Sequence, residues 1–110
     1  MPNVEVHGHF AVIVSYASKA DWGLRRVGLV EIDPSLIPYK KTWWGEEPNL
    51  RIDIRQKAVK KVIYRSRRHA FNHKKGHWCF RRDYRKVQAM ALKLERLWPL
   101  HILAKEYPKE

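Results

Sequence analysis

Cysteine occurs once in the 110 residues, at Cys79, so no disulfide can close within the chain and a reducing compartment is expected. Cytoplasmic residence is the default, and a nucleus is equally compatible. No apolar run approaches the ~20 residues of a membrane-spanning helix, and MPNVEVHGHF lacks the apolar stretch of a secretory signal. No membrane role is therefore expected. P-loop, nucleophile-elbow and H-E-x-x-H patterns are missing, as are RNP aromatics, a GXXG loop and zinc-finger spacing. Internal repeats and low-complexity segments are missing too. The most telling shortage is of acids: residues 55–86 hold 13 Lys and Arg against one carboxylate, Asp83.

The apolar share of 45% is that of an ordinary globular protein, and 110 residues fit one domain with a modest core. The net charge of +12 is unevenly placed: residues 1–50 carry 5 basic and 6 acidic side chains, residues 51–110 carry 18 and 5. Solubility needs a net charge of only about 2–8 and no segregation. A one-sided field instead favours a polyanion or an anionic surface as partner.

HFAVIVSYA (9–17) alternates Phe10, Val12, Val14 and Tyr16 against Ala11, Ile13 and Ser15, the period of a strand. SKADWG supplies turn chemistry, and LRRVGLVEI (24–32) reads as the returning strand. Pro34 and Pro38 end that run, leaving a long loop with a short strand at Lys41–Trp44. The stretch AVKKVIYRSRRHAFNHKKG (58–76) is cleanly apolar on neither face as a strand. As a helix it gathers Ala58, Val59, Val62, Ile63, Ser66 and Ala70 into one stripe. Asp53 and Gln56 have capping-box spacing, and Lys74, Lys75 and Gly76 form a natural helix end. LRIDIR (50–55) alternates like a strand and also fits the first turn of that helix. Further on, with Asp83 as N-cap, Tyr84, Val87, Met90, Ala91, Leu94, Leu97 and Trp98 share one side, and Pro99 stops the helix. Such a stripe serves a core or a dimer seam equally, so the oligomeric state is open. LHILAKEYPKE adds a short packed segment before fraying. The expected architecture is α+β in one domain, residues 1–110. A small antiparallel β-sheet in the N-terminal half (β-rich 1–52) is packed by two C-terminal α-helices, a basic one at about 54–75 and an amphipathic one at about 83–98.

On the outer side of the first helix this reading places Lys57, Lys60, Lys61, Arg67, Arg68, Lys74 and Lys75, with Tyr64 and Phe71 two turns apart among them. Arg81, Arg82 and Arg85 extend the patch. Cations neutralise phosphates, and aromatic rings stack on unpaired bases, so the expected activity is non-enzymatic binding of RNA or DNA. A plain solvated face normally mixes charge signs. The alternative is a small interaction or inhibitor protein docking this face on an acidic partner, such as a nucleic-acid-handling enzyme. Trp43 and Trp44 are then candidate partner-binding residues, one ring expected inward and one outward; equally, both cap an end of the core.

A third reading is a histidine-based or zinc-dependent nuclease. His69, His73, His77 and Cys79 form H-x3-H-x3-H-x-C, chemically able to hold zinc. The spacing matches no standard finger, and Lys74, Lys75, Arg81 and Arg82 would repel a cation. The structural alternative has His69 and His73 edging the core while Trp78, Cys79 and Phe80 plug it. No cofactor is expected. Asp53, Asp83, Glu31 and Asp33 are the only carboxylates within reach of catalysis.

Overall fold

Alternating apolar side chains produce the central strands where the sequence places them. The computed structural model of the chain describes residues 3–16, 24–70 and 74–106. Strand β1 (Val4–His7), β2 (Phe10–Tyr16), β3 (Leu24–Ile32) and β6 (Val59–Arg65) lie in that order in one antiparallel sheet, and β7 (His69–Ala70) pairs with the start of β3. Strands β4 (Tyr39–Thr42) and β5 (Gly45–Pro48) form a separate hairpin. Two helices follow, α1 (Lys74–Arg96) and α2 (Trp98–Glu106). The α+β class is as expected. The SKADWG turn and the last four residues lie outside the described residues.

Each face of the sheet buries its own cluster. On one side Phe10, Val12, Val14, Val27 and Leu29 pack against Phe80, Val87 and Ala91 of α1. On the other, Ala11, Ile13, Val30, Ile32 and Val59 are covered by Ile37, Leu50 and Ala58, from the chain between β3 and β6. That connection opens with a single helical turn, Pro34–Leu36, capped by the Asp33 side chain. LRIDIR is neither strand nor helix: Asp53 and Gln56 close a turn, Gln56 accepting from the Arg51 N–H and donating to the Asn49 carbonyl.

The basic helix expected at about 54–75 does not form. Residues 59–65 run extended as β6 and 69–70 as β7. The reason lies in two β-bulges. Leu29 pairs with Tyr64 and Val30 with Val62, skipping Ile63; Glu31 pairs with Lys61 and Ile32 with Val59, skipping Lys60. Each bulge adds a residue, so side chains on one face recur at a spacing of three rather than two. Val59 and Val62 face one cluster, while Ile63 and Tyr64 pack on the other. A bulged strand thereby imitates helical periodicity. The strand closes at Ser66, which is buried; its Oγ accepts from the Val27 N–H at 2.9 Å and donates to the Arg67 carbonyl.

Helix α1 starts nine residues before the expected N-cap Asp83, so GHWCFRR is helix rather than a link. Gly76 sits in its first turn, not past a helix end, and lets it approach β7. A Cβ there would lie 2.4 Å from the Ala70 carbonyl oxygen. Gly-to-Ala in a helix interior ordinarily gains about 1 kcal/mol. Here Gly76→Ala is expected to reverse that sign and cost about 1–3 kcal/mol, as overpacking does. Denaturant unfolding of the two proteins measures it.

Helix α1 breaks at Leu97, and Pro99 falls in the first turn of α2, where its missing N–H leaves no bond unmade. The break is tied to the β1–β2 turn, where Gly8 has φ +64. The His9 N–H donates to Glu95 Oε2 at 2.9 Å, and the His9 ring stacks on Trp98 at 4.1 Å. Beside β1, the Tyr84 hydroxyl and Gln88 donate to the Glu5 carboxylate. Burial, then the Glu5 hydrogen bond and charge, push the Tyr84 phenol up, so it remains a donor.

Candidate nucleic-acid interface

The topology gathers basic side chains at one end of the sheet. Arg25 lies opposite His69, Arg26 opposite Ser15, and Arg65 opposite Gly28. Arg67 and Arg68 continue from β6, and the α1 N-terminus abuts β7 at the same end. Of the residues expected from sequence, Arg67, Arg68, Lys74, Lys75, Arg81, Arg82 and Arg85 are therefore neighbours, all exposed. Lys57, Lys60 and Lys61 are not. Lys57 precedes β6, and Lys60 and Lys61 lie at its start, about 13–17 Å of strand away from Arg65, with Lys61 opposite Glu31.

The stacking residues differ from expectation. Tyr64 is half-buried against the α1-side cluster, with Lys86 Nζ 5.2 Å from its ring centroid. Because residues 59–65 are a strand, Tyr64 does not lie along an outer helix face as expected. Phe71 lies outside the described residues. The aromatic that α1 does present is Trp78, 58% exposed, rather than a core plug; Phe80 alone of Trp78, Cys79 and Phe80 is fully buried. Along a helix, positions 75, 78, 82 and 85 share a face. Lys75, Trp78, Cys79, Arg81, Arg82 and Arg85 line a cleft of about 490 Å³ there. The Arg81 guanidinium carbon is 5.9 Å from the Trp78 ring centroid. The first turn of α1 has no acid, so Lys74 and Lys75 face the positive end of the helix dipole, a cost of about 0.3–1 kcal/mol each.

The carboxylates near this end are committed. Asp83 is hydrogen-bonded to His69 Nε2 at 2.9 Å, joining β7 to α1. Asp53 is gripped by the Arg55 side chain and N–H, which hold its carboxyl down at about 2. Of the expected zinc set, His69 is held by Asp83, His77 lies edge-on to Trp78, Cys79 is 4.0 Å from Arg82 Nη2, and His73 lies outside the described residues. Among the described residues no three His, Cys, Asp or Glu side chains group as metal ligands.

Trp43 and Trp44 occupy the two-residue turn of the β4–β5 hairpin, 92% and 61% exposed, their rings edge to face at 5.1 Å. Neither ring turns inward and neither caps the core, because the flanking strands pair with each other away from the main sheet. Lys40 and Glu47 form an ion pair across that hairpin at 3.2 Å. Sequence reasoning missed Trp78, Arg25, Arg26, Arg51 and Arg65. Only Trp78 left a signal, its position half a turn away from Phe80 once both are helical.

Among the described residues no helix is long and apolar enough to cross a membrane. Comparison with family models, with curated proteins and with solved structures finds no match to this chain.

Proposed function

We propose that the chain binds nucleic acid, laying a strand across the outer face of the first three turns of α1 and the adjoining arginines of the sheet end. The observation that carries this reading is Trp78, an exposed indole among Lys75, Arg81, Arg82 and Arg85 with no acid beside it on that face. Core packing does not account for it. Stacking on a base would cover the ring, while the cations release counterions from phosphates. A polyanion would also relieve the lysines at the dipole's positive end. Docking on an acidic protein would use the same cations, and the Trp43–Trp44 tip is the feature that favours it, since exposed tryptophans anchor protein interfaces.

Fluorescence anisotropy with labelled single- and double-stranded RNA and DNA tests the proposal. Trp78→Ala is expected to weaken single-strand binding roughly 5- to 100-fold, the loss of one stacked base, and to leave duplex binding nearly unchanged. Equal binding of the single strand by both proteins would remove Trp78 from the interface. Failure of all four probes to bind would favour the protein partner.

A further inference from the structure

On the sheet face turned away from α1, a groove of about 500 Å³ opens between the ends of β2 and β3 and the segment after β5. Arg26, Arg51 and Arg65 line it, together with Asn3, Ser15 and Asn49. Two carboxylates also stand in its walls, and both are matched: Glu47 pairs with Lys40 at 3.2 Å, and Asp53 takes a two-pronged contact from Arg55. Arg65 Nη2 donates to the Ile52 carbonyl at 2.9 Å, which fixes that guanidinium at the rim. The Arg26 Nε is buried with no hydrogen-bond partner among the described residues. Burial, then the charges of Arg68 and Arg65, push its guanidinium below the ordinary arginine value. Arginine nonetheless stays ionised, so a partly buried cation is held against two others. Three cationic side chains remain in the walls with no unmatched carboxylate among the described residues.

We propose that this groove is a binding site for a phosphomonoester of mononucleotide size, its dianionic phosphate held by Arg26, Arg51 and Arg65. Guanidinium forks match phosphate oxygens two at a time, and a dianion offsets more of the surplus than a carboxylate does. The volume falls within the range of small-molecule sites, about 300–1,000 Å³, and far exceeds a bare phosphate. Pro48, Leu50 and Ile52 offer an apolar wall for the organic part. The groove and the α1 cleft lie on opposite faces of the sheet and share no side chain, although Arg26 and Arg65 stand at the sheet end that borders both. The ligand chemistry is the same whether the phosphomonoester is a free nucleotide or the phosphorylated end of a strand.

Calorimetric titration of the full chain tests this with a nucleoside 5′-monophosphate, the unphosphorylated nucleoside and inorganic phosphate. The monophosphate is expected to bind with Kd of about 10–100 µM, an ordinary efficiency for its size. The nucleoside is expected to show no binding, and inorganic phosphate weaker binding than the monophosphate. Arg26→Ala and Arg51→Ala should each weaken the monophosphate about tenfold or more, as losing a charge-assisted hydrogen bond does. Arg51 is exposed, so its variant tests the site without disturbing the sheet. The R81A/R82A/R85A variant should bind the monophosphate as the parent does, whatever it does to polymers. Binding no tighter than millimolar, or unchanged in R51A, overturns the proposal. If it stands, tighter binding of a 5′-phosphorylated oligonucleotide than of its unphosphorylated twin assigns the groove to strand ends, and no difference assigns it to free nucleotide.

Discussion

Phe80→Ala is expected to cost about 3–5 kcal/mol, much of the roughly 5–15 kcal/mol that holds a small domain folded. Among the described residues Phe80 is the largest fully buried side chain. Its ring joins α1 to Phe10, Val12 and Val14 of β2 and to Val27 and Leu29 of β3, and lies 6.4 Å from the Tyr84 ring. The surrounding strands are fixed by hydrogen bonds on both sides and cannot collapse into the space, so the cavity term adds to the lost transfer energy. The melting temperature should fall by on the order of 12–40 °C, and the denaturant midpoint should fall with little change in slope. Trp78→Ala, two residues away on the opposite face, should move stability by no more than about 0.5 kcal/mol. A Phe80→Ala loss below about 1 kcal/mol would contradict the placement of α1 on the sheet.

The R81A/R82A/R85A variant is expected to lose nucleic-acid affinity by on the order of 10²- to 10³-fold at low salt. Each of the three guanidiniums is exposed on the first three turns of α1, so each substitution removes a phosphate contact at little cost to the fold. At about 1 kcal/mol or slightly more per contact, three contacts multiply to that range. The sequence of the probe should matter little, because phosphate contacts carry no base identity. Binding by anisotropy and folding by circular dichroism, measured on the same preparation, separate lost affinity from lost structure.

Local alternation was enough to read β2 and β3 from residues 9–17 and 24–32, and apolar spacing was enough to read a helix across Tyr84–Leu94. The 59–65 segment was misleading for a physical reason. Bulges at Lys60 and Ile63 are set by pairing with β3, nearly thirty residues away, and they convert a two-residue period into a three-residue one. The β-branched and aromatic content of VKKVIYR was the one local hint of a strand. Asp83 looked like an N-cap because an acid before an apolar stripe usually is one; it serves β7 through His69 instead. For the candidate interface, Arg81, Arg82 and Arg85 were legible from charge alone. Trp78 reads as core only when the helix begins at Asp83; with the helix beginning at Lys74 it stands opposite the buried Phe80. The groove around Arg26 joins residues from several separate segments of the chain, a juxtaposition that no local pattern encodes.

The most direct measurement is the salt dependence of binding by the parent chain and by R81A/R82A/R85A, followed by anisotropy from about 50 to 300 mM monovalent salt. If roughly six phosphates are engaged, log K should fall linearly against log salt with a slope between about −4 for a single strand and about −5 for a duplex. The variant's slope should be shallower by about 2–3. A parent slope near zero, or a slope the three substitutions leave unchanged, would contradict a nucleic-acid interface on α1.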